Sequence, residues 1–356
     1  MALPKKIGVL TFHKCINYGS YWQARCLVEG LHESGFDAEL IDHQSEIVAR
    51  AELRCAFQPL LPVRTSRKTM RGYAGKVRKF MHAFRRLPLS LPIDLHRPES
   101  MARYDTVVVG SDEVWNLSHP WYGGVPLFYG DGVNAQRLVA YGGSFGSYSC
   151  HWGLDEYWTS KLKSFDALSV RDENSFWLVR GTTGREPRRV LDPVLQFPDL
   201  PLAGRAPEGE RFALVYGHSF PAWFVAALKR WARSTGLRLR SVGYHNGFAD
   251  EQLLDAGPLE FARLMRGADA VVTNFFHGCI FALLNRKPFV TVTSDYRQQK
   301  LRDLTAALDA RERIVERDTP QREFDRLLAN PPPTGMFDRI AAARHQSREF
   351  LLGAVA

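Results

Sequence analysis

The chain of 356 residues reads as an α/β protein built from two doubly wound, Rossmann-like domains facing a cleft. Three observations predict this. Short β-branched runs alternate with longer amphipathic stretches. The alternation lapses over residues 196–211, which hold Pro198, Pro201 and Pro207, and then restarts. Polar residues and glycines follow nearly every apolar run, as they do where strands give way to loops. The length suits two domains at roughly 100–200 residues each. We place an N-terminal domain over residues 1–200, a C-terminal domain over 208–334 and a terminal helix over 335–356.

The elements follow in order. Lys6 to Phe12 is a strand, Tyr21 to Gly35 a helix closed by its glycine, and Phe36 to His43 the returning strand. Parallel strands need such a crossover. An excursion over residues 50–103 follows, punctuated by five prolines, with one helix near Lys68 to Arg86. Strands resume at Tyr104 to Asp112 and Arg137 to Gly146. Ala167 to Gly181 is a short strand and a helix, with Asp172 or Glu173 near the helix start, and Arg188 to Leu195 is a strand ended by Pro193. Beyond the boundary, Arg211 to Ser219 is a strand, and Pro221 to Gly236 is a helix opened by proline and closed by glycine. Further strands lie at LRLRSVGY, ADAVVTNF and KPFVTVTSDY, helices near Pro258 to Met265 and after Gly278, and a terminal amphipathic helix over Ile340 to Val355.

Composition narrows the function classes. A hydrophobic share of 45% with 24% charged residues is that of a globular chain. No run reaches the roughly 18 apolar residues that span a bilayer. The opening MALPKKIGVLTF lacks the apolar core and cleavage site of a signal peptide, so the expected location is cytoplasmic. Five scattered cysteines have neither metal-ligand nor redox spacing, which argues against disulfides. Cys279 reads as a small buried residue rather than a nucleophile. No cofactor is expected, since no His, Cys or carboxylate cluster has ligand spacing.

The net charge of +9 is concentrated in one place. Residues 50–103 hold 13 Lys/Arg against three acids (Glu52, Asp94 and Glu99), a balance of +10, and the remainder carries −1. A solvated basic face explains this without function. Attraction of an anionic substrate, or peripheral contact with the inner face of a membrane, explains it with one. Nucleic acid is not expected as a partner, because no nucleic-acid module accompanies the charge.

Ligands of doubly wound sheets bind beyond the carboxyl ends of the strands. The polar loops there are CINYGSYWQA (Cys15 to Ala24), GSDEVWN (Gly110 to Asn116), YGGSFG, SVRDENS, VLDP, YGHS and TNFFHG. Each can be a plain turn or helix cap. His277 falls at a helix start, where backbone N–H groups attract anions and an imidazole can exchange protons near neutral pH. Its structural alternative is a histidine bonded to a loop carbonyl. Arg171, also between a strand and a helix, suits a carboxylate or phosphate, or else an interdomain salt bridge. His218 is a reserve candidate for phosphate binding or proton transfer. YGGSFG lacks the full glycine spacing of a dinucleotide loop.

NYGSYWQA, VVVGSDEVWN, the SFG of YGGSFG, SVRDENS, VLDPVL and TNFFHGCIFALLNRKPFV occur in the order seen in the polysaccharide pyruvyl transferase family. The chain resembles that family over about residues 5–295. The resemblance implies a glycosyltransferase-B-like fold. It also implies transfer of pyruvate from phosphoenolpyruvate to a sugar, glycan or lipid-linked saccharide as a cyclic ketal, with phosphate released. His277 matches the expected acid/base, and Arg171 a position expected to hold the donor, to which Arg188 or Arg189 could add charge. Asn17 and Asp112 fall in family loops that face the cleft, and Gly278 joins the substrate-binding set at the helix start. Many relatives carry serine two residues ahead of this histidine, where Phe275 stands here. Two other readings keep the architecture: a glycosyltransferase with a nucleotide-sugar donor, and an inert module binding acidic glycan or membrane through residues 50–103.

Overall fold

The computed structural model describes residues 4–206, 209–293, 303, 305 and 310–356. Its first stretch runs β1 (Lys6–Leu10), α1 (Tyr18–Glu33), β2 (Asp37–Leu40), β3 (His43–Gln44), α2 (Glu46–Phe57) and α3 (Arg67–Phe84). Then come β4 (Ile93–Asp94), β5 (Tyr104–Val109), β6 (Ala135–Gly143), α4 (Glu156–Lys163), β7 (Ala167–Val170), α5 (Glu173–Thr183) and β8 (Arg188–Arg189). Two short helices, α6 (Pro193–Gln196) and α7 (Asp199–Leu202), precede β9 (Phe212–Tyr216), α8 (Ala222–Thr235), β10 (Arg238–Val242) and β11 (Glu251–Leu253). The chain continues through α9 (Pro258–Gly267), β12 (Ala270–Thr273), α10 (Phe276–Leu284) and β13 (Phe289–Thr291). Helices Gln321–Ala329 and Thr334–Val355 come last. Among the described residues, no helix is long and apolar enough to cross a membrane.

The chain divides into two compact units. The first comprises residues 1–52, 86–197 and 340–356, and the second 53–85 and 198–339. This differs from the boundaries read off the sequence at two places, each for a physical reason. Residues 53–85 of the basic excursion join the second unit because α3 buries Tyr73, Val77 and Phe80 there. Tyr73 Oη accepts from the His245 amide at 3.1 Å, and Lys79 pairs with Asp255 at 3.1 Å and Glu260 at 2.9 Å. The last part of the terminal helix joins the first unit, where Ser347 Oγ accepts from the Leu191 amide and Arg344 Nε donates to Leu195 O.

The first unit is a six-stranded parallel sheet in the order β2-β1-β5-β6-β7-β8. Val9 lies opposite Val108, and Val108 opposite Val139, so β1 and β5 end level while β6 runs on from Ala140 to Gly143. Val107, Val108, Val109, Val139 and Ala140 are all fully buried, as expected of parallel strands covered on both faces. The strand expected over Arg188 to Leu195 shrinks to β8, because Asp192 and Pro193 open α6.

The second unit is a five-stranded parallel sheet in the order β11-β10-β9-β12-β13. Its helix α8 has Pro221 at its N-cap and left-handed Gly236 at its C-cap, the two signals legible in the sequence. The strand expected over KPFVTVTSDY appears as β13, and its residues 294–296 lie outside the described residues.

Candidate active site

In each sheet the strand order reverses once, and the loops leaving the two strands at that reversal part to opposite faces. The reversal falls between β1 and β5 in the first unit and between β9 and β12 in the second. These are the places where a doubly wound sheet binds ligands.

In the first unit, the loop after β1 leads to Asn17, whose Oδ1 caps α1 by accepting from the Gly19 and Ser20 amides at 2.8 and 3.3 Å. Ser20 Oγ donates to Asp112 Oδ2 at 2.7 Å. Asp112 has a φ of 79°, which few non-glycine residues adopt, and its carboxylate is gripped from two sides. The second grip is Arg171, which donates to Asp112 Oδ1 at 3.1 Å, to Asp192 Oδ2 at 2.9 Å and to Ser111 Oγ at 3.2 Å. Gln23 Nε2 donates to Thr11 Oγ1, and Thr11 Oγ1 to Ser111 O, so buried bonds join α1, β1 and the loop after β5.

Asn17, Asp112 and Arg171 are therefore brought together, but not in the roles expected for all three. The Arg171 side chain is only 3% exposed, and its fork is engaged with carboxylates of its own unit. The salt bridge weighed as its structural alternative forms within one domain rather than between two. A buried guanidinium shared by two buried carboxylates fixes the loop after β5 more than it offers charge to solvent.

Sequence reading missed two residues around the same loop. Glu52 accepts from the Ile16 amide at 3.1 Å and from Trp121 Nε1 at 3.0 Å. Burial lifts its carboxyl above the ordinary glutamate value, which suits it to hold a proton. His119 Nδ1 accepts from the Tyr122 amide at 3.1 Å, leaving Nε2 as the ring donor. The only signal was that Glu52 is one of three acids in a segment of 13 bases.

In the second unit, Thr273 Oγ1 donates to Tyr216 O at 2.6 Å and accepts from the Phe275 amide at 3.0 Å, tying the end of β12 to the end of β9. Asn274 Nδ2 donates to His218 O at 2.7 Å, and Asn246 Nδ2 to Gly217 O at 2.9 Å. Gly217 has a φ of 150°, and a Cβ there would stand 2.1 Å from Asn274 Oδ1, so the loop after β9 needs glycine at that point. The His218 ring lies 5.2 Å from Tyr244 and 5.4 Å from Phe275. Phe275 also meets Tyr216 at 4.9 Å and Tyr244 at 5.2 Å.

Helix α10 begins at Phe276, two residues before the expected end of the loop at Gly278. His277 is therefore the second residue of the helix, half-buried, with the Phe276 ring edge-on at 5.2 Å. Gly278 has a packing reason: a Cβ would stand 2.0 Å from Thr273 Oγ1. Its amide bonds Phe275 O at 3.0 Å, so that N–H is engaged inside the helix start. His218, His277 and Gly278 thus share one sheet edge, the switch point of the second unit. Cys279 is fully buried, and burial raises its thiol to about 12, in line with a packing role.

Two parallel, doubly wound units with polar switch points define a glycosyltransferase-B-like architecture. Structures similar to the chain have that character, at identities that speak to fold alone. The UDP-GlcNAc 2-epimerase from Methanocaldococcus jannaschii matches at 10% identity and a TM-score of 0.52, over 98% of this chain and 99% of that one. An alpha-glucosyltransferase in complex with UDP matches at 10% and 0.50, over 98% and 95%. The N-terminal domain of Candida albicans trehalose-6-phosphate phosphatase matches at 9% and 0.50, over 99% and 97%. No curated protein sequence matches the chain significantly. The family model "Polysaccharide pyruvyl transferase" matches residues 17–296, and the chain belongs to that family. It is a transferase of polysaccharide biosynthesis.

Two outcomes follow from the first unit. Arg171→Leu strands two buried carboxylates and should lower stability by about 3–5 kcal/mol in chemical denaturation, with recovery when Asp112→Asn and Asp192→Asn are added. Burial pushes His43 and His119 from 6.5 down to about 3 and about 4. Below about pH 6.5 the unfolded chain takes up protons that the folded chain refuses, so stability falls as pH drops from there toward about 4. Melting curves should show Tm declining across that window, with a shallower slope in His43→Gln.

Proposed function

We propose that the chain transfers the enolpyruvyl group of phosphoenolpyruvate to two hydroxyls of a sugar or glycan as a ketal, in the cytoplasm. The observation that carries this reading is the position of His277, on the first turn of the helix at the switch point of the second sheet, in a chain of this family. The enol methylene takes a proton and the adjacent carbon becomes electrophilic. One acceptor hydroxyl adds there, phosphate leaves, and a second hydroxyl closes the ring. Of the two hydroxyl protons, one replaces the proton spent on the methyl group and the other departs with phosphate. An imidazole can serve both directions of that traffic, a contribution of typically about 10²–10⁴-fold.

His218, on the neighbouring loop of the same edge, is the group we assign to the donor phosphate. In the first unit we assign Asp112 and Asn17 to substrate binding, with Arg171 positioning Asp112. Glu52 is the further acid available there. No cofactor enters this scheme. A second reading, transfer from a nucleotide-sugar, draws on the solved UDP complex of similar fold.

Phosphoenolpyruvate should raise Tm and UDP-sugars should not; the reverse pattern would favour the second reading. Incubation with phosphoenolpyruvate and soluble or lipid-linked saccharides should release phosphate and yield an acceptor heavier by one ketal. His277→Ala should lower that turnover by at least about 10²-fold with Tm unchanged, and undiminished turnover would remove His277 as catalyst. Phe275→Ser supplies a side chain able to cap α10, worth about 1 kcal/mol, but removes the ring packed on Tyr216, His218 and Tyr244, so Tm should fall while KM for the donor falls as the added hydroxyl meets phosphate.

A further inference from the structure

The exposed face of α3 carries a cationic ridge. Arg67, Arg71, Arg78 and Arg85, the last at the C-cap, are spaced to share one stripe of the helix with His82, and all are exposed. Lys68 flanks the stripe, and Arg54 and Arg64 are exposed on the approach to it. The helix has 18 residues, so the ridge runs about 27 Å. No aspartate or glutamate occurs between Glu52 and Asp94. The cations on the inner side of α3 are otherwise disposed: Lys76 is buried, and Lys79 is paired with Asp255 and Glu260. Among the described residues, none of the solvent-facing arginines of the ridge has an ion-pair partner.

The turn ahead of the ridge is apolar as well as exposed. Leu61 and Val63 present 49% and 67% of their surface, and Met81 lies exposed beside the stripe. A soluble polyanion would satisfy the arginines but gain nothing from these side chains. An anionic bilayer rewards both, with headgroups against the cations and the acyl boundary against the apolar tip. We propose that α3 and the Leu61–Val63 turn form a docking surface for anionic phospholipid membrane, with the ridge along the headgroups and Leu61 and Val63 entering the interface. This surface is independent of the donor chemistry proposed above.

The test is co-sedimentation of the full chain with vesicles of phosphatidylcholine alone, or with about a third phosphatidylglycerol, at about 0.1 M salt. Binding should appear only with the anionic lipid and weaken as salt rises. Arg71→Gln/Arg78→Gln/Arg85→Gln should weaken it roughly a hundredfold at about a tenfold loss for each one or two cations removed. Leu61→Ser/Val63→Ser should weaken it several-fold while leaving retention on an immobilised acidic polysaccharide unchanged. Unaltered melting curves establish that both variants fold. Absence of binding to the anionic vesicles overturns the proposal. So does full vesicle binding by Leu61→Ser/Val63→Ser, which would remove the apolar insertion that distinguishes a bilayer from a soluble acidic glycan as the occupant.

Discussion

Parallel pairing is the constraint on which the rest of this molecule depends. Each parallel neighbour has to be reached by a crossover, and a sheet covered on both faces must reverse its order somewhere. Here the reversals fall at β1/β5 and β9/β12, and each is bridged by side chains rather than left open. In the first unit the bridge runs from Gln23 through Thr11 to Ser111 and on to Arg171 and Asp192. In the second, Thr273 fastens β12 to β9 while Asn274 and Asn246 hold the loop after β9. The polar residues are buried at these points because the topology leaves backbone groups there that no strand can pair.

Local signals in the sequence were sufficient where structure is locally decided. Pro221 and Gly236 announced the helix ends they occupy, whereas α1 starts at Tyr18 behind its cap Asn17, three residues ahead of the helix expected from Tyr21. His277 was legible as a strand-end residue, but the start of α10 was not, because its N-cap Phe275 supplies no capping side chain. Assignments that rest on distant partners were out of reach. Arg171 meets acids 59 and 21 positions away, and α3 is anchored to residues some 170 positions further along, as in Tyr73 to His245 at a separation of 172. Nothing in a window of sequence around either residue contains those partners. Charge segregation was visible in the composition, whereas which cations face inward was not.

The surroundings of the second switch point are aromatic to an unusual degree. Phe275 stands among Tyr216, His218 and Tyr244, and Lys76 from α3 lies over the Tyr244 ring at 4.7 Å. A hydroxyl at residue 275 would have offered a donor and an acceptor, whereas the ring offers a flat apolar wall that narrows the choice of rotamers for His218. Helix α3 thus has two faces with separate duties, the inner one reaching this wall through Lys76 and Tyr73 and the outer one bearing the arginines.

Because the first unit is assembled from three separate stretches, its completion is deferred during synthesis. The loop that follows β8 waits for Ser347 and Arg344, which bond Leu191 and Leu195 from roughly 150 positions downstream. A nascent chain halted after the six strands have emerged would expose the ground on which that helix later settles. Ribosome-associated chaperones would therefore meet this unit as an unfinished substrate until nearly the whole polypeptide had been made, even though its strands were among the first residues translated.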